Sequence, residues 1–228
     1  MIDWPTFEAQ FNTFKSLSDD RFLVNWDYRF PCLNDNSTDT GFDAHYINHP
    51  AWAARAVREI NPTMHVDISS SLAFCTMLSA FIPVTFYDYR PAKLTLSNLT
   101  CEKADLTNLP FSDGSIESLS CMHVVEHIGL GRYGDPIDPE GDLKSINELK
   151  RVLAAGGNLL FVTPVGKPVI RFNAHRIYAY DQIISYFSPL KLHQFALIDD
   201  AGNFSLNAEP NFTNQQNYGC GCWWFKKE

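Results

Sequence analysis

MHVDISSSLAFCTMLSAFIPVTFYDYR, from Met64 to Arg90, alternates two apolar runs with an intervening helical segment. An apolar run at Met64–Ile68 predicts a strand, three serines form a turn, Leu72–Ala80 predicts a helix, and Val84–Tyr87 predicts a second strand. A strand, a crossover helix and a strand make one unit of a parallel sheet. Further along, Leu99–Lys103, Ile116–Met122 and Asn158–Thr163 predict strands, and Gly141–Leu153 predicts a helix. Ala155-Gly156-Gly157 is read as the turn that ends this helix. Asp181–Phe187 reads as a capped helix. Leu190–Ile198 and Tyr218–Phe225 then read as two longer strands whose antiparallel pairing would close the sheet. Alternation of this kind specifies an α/β fold with a mostly parallel seven-stranded sheet, right-handed crossovers and helices on both faces.

Upstream, residues 1–49 read as an aromatic extension or cap, and residues 50–228 as the domain itself. Trp4, Phe7, Phe11 and Phe14 recur at intervals of three and four, which marks an amphipathic helix. Asp27–Thr40 reads as loop. A helix opened by Pro50 is expected over Ala51–Glu59, stopped by Asn61-Pro62.

Of 228 residues, 45% are hydrophobic and 14% aromatic, which supports a real core and excludes wholesale disorder. The net charge of −8 repels phosphate backbones, so a bulk nucleic-acid binder is disfavoured. No stretch approaches the roughly 20 apolar residues of a membrane span. The N-terminus lacks the basic and apolar regions of a signal peptide, so a cytoplasmic location is expected. The six cysteines lack zinc-site or C-x-x-C spacing and read as reduced, mostly core residues, with Cys220 and Cys222 on one strand face. Trp223 and Trp224 are expected on opposite faces of the last strand.

In open parallel sheets, ligands bind beyond the carboxyl ends of the strands, where strand order reverses. Ser69, Ser70 and Ser71 follow the first strand and precede a helix whose free N–H groups attract a carboxylate. Asp88 follows the second strand, 21 residues past Asp67, close to the spacing at which an acid meets a ribose diol. Asp105 follows the third strand and would accept a hydrogen bond from an adenine amino group. A loop aspartate also suits turns and caps, so three acids at three successive strand ends weigh more than one.

Leu109-Pro110-Phe111-Ser112-Asp113-Gly114, then His123-Val124-Val125-Glu126-His127, then Glu148-Leu149-Lys150-Arg151-Val152-Leu153-Ala154-Ala155-Gly156-Gly157 resembles the central block of class I S-adenosylmethionine (SAM)-dependent methyltransferases. The resemblance spans roughly residues 60 to 200 and implies the Rossmann-like fold of that superfamily. Gly129–Pro136 and Phe172–Arg176 look like an uncharacterised bacterial subfamily of it. The resemblance implies SAM as cofactor, its methionine end against Asp67, Ser69, Ser70 and Ser71. Its ribose would lie on Asp88 beside Tyr89, its adenine near Asp105 and Leu106, with His123 lining the pocket. One departure stands out: Ser69, Ser71 and Ala73 occupy first-loop positions where glycine is common, and serine adopts positive φ less readily.

His123-x-x-Glu126-His127 also matches the inverted zinc-peptidase motif, but that motif needs a helix and here follows a strand. Some methyltransferases hold a divalent ion at this strand end, so His123, Glu126 and His127, joined by His175, form a less favoured metal set; no metal ligand is assigned. His127 is the candidate base, since neutral histidine suits proton abstraction near pH 7. Tyr133 and His175 would hydrogen-bond acceptor hydroxyls, and Arg132 and Arg176 would clamp a phosphate or carboxylate. Phe42, His45 and Tyr46 would help the N-terminal segment cover the site. The leading expectation is a methyltransferase acting on a small molecule, with a sugar or sugar phosphate as the acceptor class considered. Two rivals stand beside it: a catalytically degenerate binding protein of the same fold, and an enzyme using a nucleotide sugar in the same crevice.

Overall fold

A computed structural model describes residues 1–19 and 21–228. The chain divides into two units, Met1–Phe42 and Asp43–Glu228. The boundary falls ahead of the one read from sequence, because the helix that follows starts before Pro50. In the first unit, α1 (Trp4–Leu17) is capped by Asp3, whose carboxylate accepts from Thr6 N at 2.9 Å. The apolar stripe of α1 packs on Trp26, with the Phe11 and Trp26 ring centroids 4.8 Å apart.

The second unit opens with α2 (Ala44–Ile60), capped by Asp43 through Tyr46 N. Pro50 therefore lies inside the helix and does not open it. Proline lacks an N–H, so Tyr46 O goes without its i+4 donor. The elements that follow are β1 (His65–Ile68), α3 (Leu72–Leu78), β2 (Val84–Asp88), β3 (Leu99–Lys103), β4 (Ile116–Met122), α4 (Gly141–Val152) and β5 (Leu153–Val165). A hairpin of β6 (Val169–Arg171) and β7 (His175–Ile177) leads into α5 (Tyr180–Phe187). The chain ends through β8 (Lys191–Ile198), β9 (Phe204–Leu206), α6 (Pro210–Thr213) and β10 (Gly219–Lys226).

The sheet order is β3-β2-β1-β4-β5-β10-β8-β9. Pairs from β3 through β5 are parallel, and β10 inserts antiparallel between β5 and β8. The expected seven strands are all present, and the eighth, β9, is a three-residue edge strand paired with β8. Strand order reverses between β1 and β4, which places the ligand crevice at the ends of those two strands.

Period-two alternation divides the core between the two sheet faces. Leu159, Phe161, Trp223 and Phe225 pack on one face with α4 and α5 residues such as Leu149, Ile183 and Phe187. Leu160, Val162, Cys220, Cys222 and Trp224 pack on the other with Trp52 and Ala53 of α2 and Phe74 of α3. Both tryptophans are buried, and each large side chain removed from water contributes roughly 1.5–3 kcal/mol. The cysteines are free; Cys32 is exposed, Cys101 partly buried and the other four buried.

Ala155-Gly156-Gly157 does not end the helix. α4 stops at Val152, and residues 154–157 bulge out of β5, since Ile116 pairs with Leu153 while Ser118 pairs with Asn158. Gly156 takes φ +75°, and its N–H donates to Lys227 O at 2.7 Å. Among the described residues, no helix is long and apolar enough to cross a membrane.

Candidate active site

The serine turn after β1 does what a glycine turn would. Ser69 adopts φ +56°, the left-handed region that favours glycine, and its N–H and hydroxyl both donate to Tyr87 O, at 2.7 and 3.1 Å. Ser70 Oγ accepts from Met122 N at 2.9 Å, tying the end of β1 to the end of β4. Ser71 caps α3 by accepting from Phe74 N at 3.5 Å.

Two cavities adjoin at this turn and share Ser69, His123, His127 and Tyr133. The first, about 280 Å³, is walled by Asp88, Tyr89, Asp105 and Leu106. Asp88 Oδ1 accepts from Arg90 N at 2.7 Å, and Oδ2 has no partner among the described residues. Asp105 Oδ1 accepts from both Thr107 N and Thr107 Oγ1. The second cavity, about 480 Å³, is walled by Ser70, Ser71, Arg132 and His175, with Tyr46 and Tyr218 at its rim.

Asp67 lies elsewhere. It is fully buried beneath the serine turn and lines neither cavity. Its Oδ1 accepts from Ser70 N at 2.9 Å, and its Oδ2 accepts from Ser120 Oγ. Ser120 belongs to a chain of buried polar groups, because His65 joins Ser118 Oγ and Ser120 Oγ at 2.8 Å each. Burial pushes the Asp67 carboxyl up to about 6 and the His65 imidazole down to about 3. Asp67 is therefore a brace for the turn. It is not placed to make the methionine-end contact expected of it.

After β4, His123 sits at φ +57° and lines both cavities. Its Nδ1 meets Glu126 Oε1 at 2.8 Å, and its Nε2 lies 3.4 Å from Cys220 Sγ. Burial would raise the Glu126 pKa, but the hydrogen bond from His123 and the two neighbouring imidazoles outweigh it and hold the carboxyl low. His127 Nδ1 lies 2.6 Å from Ala174 O, so that nitrogen carries the proton. Its Nε2 is then a lone pair, 3.8 Å from Glu126 Oε1, and the residue lines both cavities.

The metal set His123, Glu126 and His127 does not converge. Glu126 is engaged by His123, and His127 Nδ1 is engaged by the backbone. His175 is placed by β7, its ring 4.9 Å from that of Tyr218, with Nε2 buried and unpartnered among the described residues. Arg132 donates to Ala174 O at 3.0 Å and lies over the Tyr133 ring. Arg176 is no clamp: it is buried, donates to Ile128 O at 2.7 Å and approaches Asp142 at 3.6 Å. It ties the loop after β4 to α4.

Sequence reasoning misses Asp135. Its carboxylate collects N–H groups from Gly129 at 2.7 Å, Tyr133 at 3.1 Å and Gly131 at 3.3 Å, which folds the loop that carries Tyr133. Burial would raise its pKa, and these donors outweigh burial and lower it. Gly129 (φ +80°) is required there, since a Cβ would stand 1.9 Å from Asp138 O. Glycines at 129, 131 and 134 around an aspartate are the available signal. Tyr218 carries none, being one aromatic at the start of a strand.

Residues 109–197 match a family model described as a Caenorhabditis protein of unknown function, DUF268. That is less than half of the chain, and a Caenorhabditis family lends no support to the expected bacterial subfamily. No curated protein matches the chain. Among solved structures, the N-methyltransferase NodS from Bradyrhizobium japonicum, in complex with S-adenosyl-L-homocysteine, is similar with a TM-score of 0.56 and 14% identity. The match covers 98% of this chain and 97% of that one. The YcgJ protein from Bacillus subtilis is similar with a TM-score of 0.55 and 15% identity, over 80% of this chain and 99% of that one. The [4+2]-cyclase SpnF is similar with a TM-score of 0.52 and 12% identity, over 76% of this chain and 81% of that one. The chain has the class I methyltransferase fold. Likeness at this identity speaks for the fold alone, and the cyclase is a reminder that a shared fold does not fix the chemistry.

Proposed function

We propose that this protein is a SAM-dependent methyltransferase acting on a hydroxylated small molecule, with a sugar or sugar phosphate as the acceptor class. One observation carries the reading: two cavities meet at the strand-order reversal, and the residues they share include an imidazole nitrogen with a free lone pair. The smaller cavity suits a nucleoside. Asp88 has a free carboxylate oxygen for a ribose diol, and Leu106 offers an apolar wall for a base. The left-handed Ser69 also supports the reading, because its turn keeps the shape that a glycine would supply. Bound there, SAM supplies a sulfonium methyl group.

The chain's own residues would do the rest. Ser70 and Ser71 face the amino-acid end, while Tyr133 and His175 orient acceptor hydroxyls in the larger cavity. Arg132 offers a cation for a phosphate or carboxylate. His127 Nε2 takes the acceptor hydroxyl proton as the oxygen attacks, with Glu126 balancing the charge. Holding oxygen and methyl carbon close and in line supplies most of the acceleration, and general-base help adds a factor on the order of 10²–10⁴.

The test is transfer of a labelled methyl group to a panel of sugars and sugar phosphates, run with the native chain and His127→Asn. The expected result is transfer that falls at least a hundredfold in the variant while cofactor affinity changes less than threefold. Transfer unaffected by the substitution would remove His127 as base. Tight nucleotide-sugar binding without SAM binding would favour the rival chemistry.

A further inference from the structure

The end of β4 lies against α2 and the start of β10, and three metal-binding side chains meet there. His45 comes from α2, His123 from the turn after β4 and Cys220 from β10, and their ligating atoms lie within 4.8 Å of one another. We propose that His45, His123 and Cys220 form a zinc site with three protein ligands and one open position.

The distances suit the ion. Tetrahedral zinc with sulfur at about 2.3 Å and nitrogen at about 2.0 Å separates the two ligand atoms by about 3.5 Å. Cys220 Sγ and His123 Nε2 are 3.4 Å apart. His45 and His123 stack nearly parallel, 9° between planes with centroids 5.6 Å apart, and a ring nitrogen of the half-buried His45 lies within 4.8 Å of the other two ligating atoms.

The surroundings of His123 are those of a metal-bound histidine. Glu126 takes its Nδ1–H, which leaves Nε2 as the lone pair facing Cys220. A carboxylate behind an imidazole raises its basicity and fixes its orientation for a metal. A neighbouring histidine adds an independent observation. His49 is fully buried, and its Nδ1 lies 2.7 Å from His45 O, so its Nε2 is a lone pair. That nitrogen has no partner among the described residues, and its ring centroid is 5.1 Å from that of His123. A coordinating ion removes the proton of a thiol ligand outright. One thiolate with two imidazoles selects zinc over magnesium or calcium, which take oxygen ligands.

The site forms part of the larger cavity's wall. His123 lines that cavity, as do Tyr46, stacked on His123, and Tyr218, stacked on His45. Zinc binding is independent of the methyl-transfer reading and is measured without cofactor.

The test titrates chelator-treated protein with Co²⁺ as a spectroscopic stand-in and then with Zn²⁺ in competition. The expected result is one equivalent of metal, a thiolate-to-cobalt charge-transfer band and the strong visible bands of a tetrahedral ion, all displaced by Zn²⁺. Cys220→Ser should abolish the charge-transfer band, and His45→Ala should weaken zinc at least tenfold. His45 is half-buried, so its variant tests the site even if the buried cysteine substitution disturbs folding. Absence of metal binding by the native chain, or binding unchanged in a folded His45→Ala, overturns the proposal.

Discussion

Ser69 (φ +56°) and His123 (φ +57°) hold backbone conformations that favour glycine, and both stand at the strand-order reversal. Each is held by hydrogen bonds, Ser69 by two to Tyr87 O and His123 by its N–H to Val162 O and its Nδ1 to Glu126. Sequence alone flags serine at position 69 as a departure but not that it takes the glycine conformation, since φ is not written in residue type. Beneath them, Ser118 donates to His65 Nδ1, His65 Nε2–H to Ser120 Oγ, and Ser120 to Asp67, so that each buried group has a partner. His65 titrates near 6.5 when unfolded and is held down to about 3 when folded. The stability it contributes is therefore full above about pH 6.5 and lost as pH falls toward 3. Asp67, pushed up to about 6, acts oppositely and favours the folded chain as pH drops below 6. His65→Gln should thus lose about 2 kcal/mol less than the native chain between pH 7 and pH 5 in urea unfolding. Equal losses in the two proteins would show that His65 does not stay neutral when buried.

At the scale of elements, strands are legible and caps less so. β1, β2, β3, β4, β8 and β10 emerge from short apolar runs with Gly or Pro punctuation, because each strand buries one or both faces of the pleat. Pro50 misleads because proline is common at a helix start, whereas Asp43 caps α2 well ahead of it and the helix runs through the proline. The β6–β7 hairpin leaves little trace in the sequence, because its strands are three residues each and β6 is exposed. The Gly129–Asp138 segment is legible as loop, but the carboxylate holding it is not. Asp135→Ala should cost only about 1 kcal/mol of global stability while amide exchange across residues 129–138 accelerates and methyl transfer falls. Unchanged exchange across that segment would show that the glycines alone hold the loop.

For the whole molecule, alternation of strand and helix is enough to place a crevice, since open parallel sheets have one such place. Asp88, Asp105, Leu106 and the serines are found by asking which residues follow each strand, and the structure brings them to adjoining cavities. Asp67 passes the same sequence test and is a buried brace, because position after a strand does not say which way a side chain turns. His45, His123 and Cys220 are far apart in sequence, and only the packing of α2 and β10 against the end of β4 joins them. Cofactor binding in the smaller cavity is measured by calorimetric titration with S-adenosyl-L-homocysteine. Micromolar binding, weakened by roughly 1–3 kcal/mol in a folded Asp88→Ala, is the expected result. Absence of binding at millimolar ligand, or unchanged affinity in that variant, would contradict the account.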